Sequence, residues 1–246
     1  MSILRYTVPN AVTSLSLLLG IASIVTSQLG ELEQAAWLIV WCGLLDTVDG
    51  VAARLLKAES SFGAEFDSMA DLVSFGVAPS MLVLNAGLQV GGVELGSKQF
   101  TLLAVACGVF TLAGAMRLAR FNLPTTNPPK GWFIGVPITA CGGGLLSSLV
   151  LVLIYHEQLA LSLPLHLYLP ILMFVLAILM VSRLSFPKAG LRDNLAFNIF
   201  QIVNIALIFY CGITRTWPEY LFSIGVLLLV GGIIAGRFVK TQADPA

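Results

Sequence analysis

The sequence predicts an all-α, polytopic transmembrane helix bundle of about eight spans, with both termini cytoplasmic, and three observations predict it. Apolar residues make up 57% of the chain and charged residues only 11%, where a soluble domain carries roughly 25% charged residues. The apolar residues gather into eight stretches, most of them near the length of about 20 residues that a helix needs to cross a hydrocarbon core. Lys and Arg fall at alternate ends of those stretches, the asymmetry that marks cytoplasmic loops.

The first stretch, near 11–28, follows Arg5 and superficially resembles a signal peptide. Its apolar run continues without a small-residue cleavage site, so a retained first span is expected. Further spans are expected near 34–56, 62–86, 100–119, 133–155, 168–182, 195–213 and 219–236, the sixth being short and interrupted by Pro164 and Pro170. On this division Arg5, Arg54, Lys57, Arg117, Arg120, Lys130, Arg183, Lys188, Arg192, Arg237 and Lys240 collect on one side, and Lys98 and Arg215 on the other. A misplaced span would scramble that tally, so it supports the span count as well as the orientation.

The outer loops are short and partly acidic, and neither a low-complexity linker nor an internal repeat divides the chain. Residues 1–246 are therefore expected to form one integral membrane domain, a multi-pass protein of the cell membrane with its polar tail TQADPA frayed. The net charge is zero, with 13 basic and 13 acidic residues, so bulk charge gives no reason to expect a nucleic-acid partner. Cys42, Cys107, Cys141 and Cys211 sit inside apolar stretches without metal-site or disulfide spacing, and read as small core residues. His156 and His166 fall near the outer face and read as ordinary interfacial residues.

Against this background the stretch DTVDGVAARLLKAESSFGAEFDSMAD, residues 46–71, is anomalous. One Asp at the centre of a membrane helix costs about 2.5–3.5 kcal/mol on insertion scales, so four must be paired, metal-bound or facing a polar cavity. Asp46 and Asp49 are three apart and Asp67 and Asp71 four apart, which puts each pair on one face of its helix. At about 1.5 Å per residue, Asp49 and Asp46 lie roughly 10 and 15 Å from the cytoplasmic end of the second span, and Asp67 and Asp71 roughly 8 and 14 Å from the start of the third. Antiparallel helices joined by a tight loop bring both pairs to one level. Gly50, Ala52, Ala53, Gly63, Ala64, Ser68 and Ala70 lie among them, small enough for close helix approach or to leave room for a ligand. Oxygen-only ligands suit the hard cations Mg²⁺, Mn²⁺ or Ca²⁺. The plainer alternative, pairing with Arg54 or Lys57, leaves unpaired charge behind, which is expensive.

Written out, the pattern is Asp46-x2-Asp49-Gly50-x2-Ala53-Arg54-x8-Gly63-x3-Asp67-x3-Asp71. It resembles, at every fixed position, the signature of the CDP-alcohol phosphotransferase family. The flanking runs FDSMADLVSFGVAP (66–79), RLARFN (117–122), FIGVP (133–137) and PNAVT (9–13) are most similar to the membrane-embedded phosphatidylserine synthases of that family. The similarity is sharpest over roughly residues 9–137.

The resemblance implies a six-helix core with the last two helices added, a homodimer, and transfer of a phosphatidyl group from CDP-diacylglycerol to L-serine with release of CMP. It implies that Asp46, Asp49, Asp67 and Asp71 hold two divalent cations, Mg²⁺ or Mn²⁺, that Asp71 is also the general base, and that Gly50, Ala53, Arg54 and Gly63 receive the nucleotide. The chemistry agrees: two cations can neutralise charge building on phosphoryl oxygens, and a carboxylate can take the proton of the attacking hydroxyl. A donor with acyl chains in lipid and a nucleotide reached from the cytoplasm requires an active site near the inner interface.

Arg117 and Arg120, with Lys130 and Arg183, are candidates to hold a phosphate or the serine carboxylate, because guanidinium groups match both anions; the alternative is that they are snorkelling, topology-setting charges. For Arg120 the substrate role is expected. Asn10, Thr13 and Ser74 are placed to line the same pocket, although Ser and Thr in such helices often bond to their own carbonyls. Two other functions remain open at this point. One is the same family acting on glycerol 3-phosphate, inositol phosphate or another alcohol. The other is a divalent-cation transporter, against which the acids cluster at one depth with no second acidic ring.

Overall fold

The computed structural model describes residues 2–56, 60–123, 131–188, 190 and 195–237, with side chains from Thr7 to Val51 in the first of these segments. Lys130 and the charged tail lie outside the described residues, as do the side chains of Ala53 and Arg54. Among the described residues nine helices and two short strands follow in order: α1 (Ser2–Gln28), α2 (Leu32–Leu56), α3 (Ser61–Gln89), α4 (Lys98–Phe121), β1 (Trp132–Ile134), α5 (Thr139–Tyr155), α6 (Glu157–Ser162), α7 (Leu165–Val181), β2 (Ser185–Pro187), α8 (Leu195–Thr214) and α9 (Pro218–Gly236). Five segments of the described residues are long and apolar enough to cross a membrane: Thr7–Gln28, Ser61–Gln89, Lys98–Phe121, Leu195–Thr214 and Pro218–Gly236. Helices α5 and α7 are apolar but shorter, and α2 carries Asp46 and Asp49 in its apolar run.

Local signals explain the ends. Gly30, at φ +92°, closes α1: its N–H reaches Ser27 O and that of Glu31 reaches Thr26 O, the paired bonds of a Schellman motif. Ser60 and Ser97 cap α3 and α4 by accepting from the N–H groups of Gly63 and Phe100. Such caps satisfy donors that the first helical turn leaves open. Arg215 and Trp217, both at φ 53°, make the tight turn into α9, which Pro218 opens.

Two departures from the expected spans have clear causes. The fifth was expected from residue 133, but Trp132–Ile134 pairs antiparallel with Ser185–Pro187 and the helix begins at Thr139. Between them Gly135 takes φ +75°, a conformation that breaks a helix. The sixth begins earlier than expected, at Leu165, with Pro170 accommodated inside it.

The core is built where helices approach most closely. Within α3 the residues Leu72–Val77 form a π-helical turn, and α5 opens with another at Thr139–Leu146. The two turns face each other: a Cβ on Gly142 would strike the Phe75 carbonyl, and one on Gly143 would come within 2.8 Å of the Phe75 ring. Phe75, Leu82, Phe110, Ile138 and Met173 are fully buried around this contact. All four cysteines are buried, as expected of small core residues. Outside, α8 exposes Leu195, Ile199, Ile202 and Val203 among other large apolar side chains, the surface of a protein bathed in lipid rather than water.

Candidate functional site

Asp46 and Asp49 stand on consecutive turns of α2, and Asp67 and Asp71 on consecutive turns of α3. One carboxylate oxygen from each of Asp46, Asp49 and Asp67 lies within 4.8 Å of the other two. Asp71 brings its carboxyl into side-chain hydrogen-bonding contact with that of Asp46. The structure thus brings all four acids together at one level, as their spacing predicts. Asp49 is buried, and the other three are half-buried.

Carboxylates this close repel one another unless protons or cations lie between them. Among the described residues no Lys or Arg is ion-paired to any of the four; the ion pair there is His156–Glu219, 2.7 Å, at the opposite end of the bundle. The donors are all oxygen, and the residues present therefore fit a hard divalent cation.

Helix α1 completes the surroundings. The Thr13 hydroxyl lies 2.8 Å from Asp49 Oδ2, and Asn10 Oδ1 would lie 3.4 Å from a Cβ on Gly63. Ser74, open between lining the pocket and bonding to a carbonyl of its own helix, donates to the Ser16 carbonyl of α1 and is fully buried. Gly50 is exposed, and a Cβ placed there meets no atom of the described residues within 4 Å.

The basic candidates separate. Arg117 is 6% exposed, with its guanidinium 5.8 Å above the Phe133 ring, and its Nε has no acceptor among the described residues. It is close enough to Asp71 to interact electrostatically. Arg120, expected to hold substrate, is engaged elsewhere: it donates to the carbonyls of Val181 (2.8 Å), Ile134 (3.2 Å), Ser182 (3.2 Å) and Met180 (3.3 Å). Those carbonyls are the open C-terminal end of α7 and the edge of β1, and the cation satisfies them. These bonds join α4, β1 and α7. Arg183 is exposed just beyond α7. Lys188, unremarked among the candidates, lies 4.6 Å from the centre of the Phe133 ring.

The sequence reading missed one polar link. Asn122 Nδ2 donates to Ser68 Oγ (3.0 Å) and Glu65 Oε2 (3.2 Å), tying the end of α4 to the turn of α3 between Asp67 and Asp71. Its place at the end of the RLARFN run was the available signal.

With this geometry in hand, comparison with known proteins is decisive. The family model for CDP-alcohol phosphatidyltransferases matches residues 6–186. The chain belongs to the CDP-alcohol phosphatidyltransferase family. Among its relatives, a CDP-diacylglycerol–serine O-phosphatidyltransferase of Helicobacter pylori is 34% identical over 245 residues, covering 96% of this chain and 94% of that protein. Proteins of the same name from Methanocaldococcus jannaschii and Bacillus subtilis are each 35% identical, the first covering 74% of both chains and the second 65% of this chain and 80% of its own. The family match ends within β2, before α8 and α9, whereas the Helicobacter similarity spans nearly the whole chain.

Proposed function

We propose that this family member transfers the phosphatidyl group of CDP-diacylglycerol to L-serine, giving phosphatidylserine and CMP. The observation that carries the reading is the convergence of Asp46, Asp49 and Asp67 on one point, with Asp71 against Asp46. The near full-length similarity to a serine enzyme supports serine as the acceptor.

Asp46, Asp49, Asp67 and Asp71 would hold two divalent cations, Mg²⁺ or Mn²⁺. When bound, the cations supply Lewis-acid neutralisation of charge on the pyrophosphate and orient the reacting groups. Asp71 takes the proton of the serine hydroxyl as it attacks phosphorus, and CMP departs. Gly50, Gly63, Ala53 and Arg54 receive the nucleotide. Arg117, a buried guanidinium beside Asp71, meets an anion there, either a phosphoryl oxygen or the serine carboxylate. The eight apolar helices α1–α5 and α7–α9, the shorter α5 and α7 included, cross the cell membrane with both termini and the site at the cytoplasmic face, and the protein is a homodimer.

Incubating purified protein with CDP-diacylglycerol, Mn²⁺ and labelled serine should release CMP and label lipid. Asp71→Asn should keep CDP-diacylglycerol binding while lowering turnover by about 10²-fold or more. Activity with glycerol 3-phosphate but not serine would change the acceptor; no activity with any alcohol would reopen cation transport.

A further inference from the structure

Helix α1 contributes none of the four acids, yet it supplies the polar side chain nearest to the most enclosed of them. We propose that Thr13 is a positioning residue for the carboxylate centre, its hydroxyl holding Asp49 in the orientation that binds a divalent cation. The proposal rests on the metal-dependent reading above.

Thr13 and Asp49 are 5% and 6% exposed, so water does not compete freely for either group. The hydroxyl has two acceptors within reach, Asp49 Oδ2 at 2.8 Å and the Pro9 carbonyl of its own helix at 3.1 Å, but one hydrogen to give. A threonine in an apolar helix commonly gives it to the carbonyl four residues back. Here the carboxylate is nearer, and a bond to an ionised acceptor is about twice as strong as one to a neutral acceptor. The hydrogen therefore goes to Asp49. That bond fixes rotation of the Asp49 carboxylate about its Cβ–Cγ bond.

The neighbouring acids are held differently. Asp46 lies against Asp71, and α3, which bears Asp67 and Asp71, is steadied through Ser68 by Asn122. Without Thr13, Asp49 keeps the main-chain N–H of its neighbour Gly50 but no side-chain donor among the described residues. Partners that orient a metal ligand typically change metal affinity 10–100-fold.

The test is Mn²⁺ titration of the purified full-length protein, reading free Mn²⁺ by electron paramagnetic resonance, with Asp49→Asn as the control that removes a ligand. Thr13→Val, which keeps the shape and loses the hydroxyl, should bind Mn²⁺ about 10-fold more weakly or worse, and Thr13→Ser should bind as wild type does. If the valine variant fails to fold, Thr13→Cys, a weaker donor of similar size, should fall between wild type and Asp49→Asn. Wild-type affinity in the valine or cysteine variant overturns the role of Thr13 and leaves the metal reading standing. A wild-type protein with no Mn²⁺ site that Asp49→Asn weakens overturns the metal reading itself.

Discussion

Arg117 and Arg120 lie one helical turn apart and do different work. Arg120 satisfies four main-chain carbonyls, and hydrogen bonds from a charged donor contribute about 1.5–3 kcal/mol each. Arg120→Gln should therefore destabilise the protein by about 3 kcal/mol or more, read as a melting temperature lower by roughly 6–12 °C, with the apparent serine affinity of the surviving fraction unchanged. Arg117→Gln should do the reverse, raising KM for serine or for the lipid with little change in melting temperature. A glutamine scan measuring both quantities checks the pair. The sequence could not separate these two residues, because snorkelling, capping and substrate binding all place Arg at the cytoplasmic end of a helix. The difference lies in where carbonyls of α7 end, some 60 residues further along the chain.

At the scale of elements, the longer helices were legible because each is an apolar run, and the acids because charge in such a run needs a reason, whereas the six-residue α6 falls between two expected spans. The π-helical turns were not legible. A single extra residue in a turn leaves an apolar stretch equally apolar, and the turn after Asp71 shows itself only through what it packs against. The strand pair was hidden for a related reason: three residues are too few to establish an alternating pattern, and its central partners, Phe133 and Phe186, are 53 positions apart. The contact between the π turns of α3 and α5 has no room for a side chain at Gly142 or Gly143. Gly142→Ala should therefore cost about 1–3 kcal/mol of stability by overpacking. Because Phe75 lies four residues from Asp71, activity at permissive temperature should also fall. Thermal melts and CMP release on one preparation check both.

The charge asymmetry between loops orients the whole molecule, and that orientation can be checked directly. Lys98 and Arg237 are both exposed and belong to opposite sides of the charge tally. With all four native cysteines buried, labelling should report only introduced sites. Lys98→Cys should react with an impermeant maleimide on intact cells, and Arg237→Cys only after permeabilisation. The reverse pattern would place the carboxylates outside, away from a cytoplasmic nucleotide.

Gly232 and Gly236 of α9 rest on the Phe186 ring and on the Ser185 main chain, so close that neither position has room for a Cβ. Glycines four apart usually let two membrane helices touch, but here they let a helix touch a strand, the same strand that closes the segment shared with the family. A methyl group at either glycine therefore acts as a wedge, prising the terminal helix off the strand that β1 holds in place.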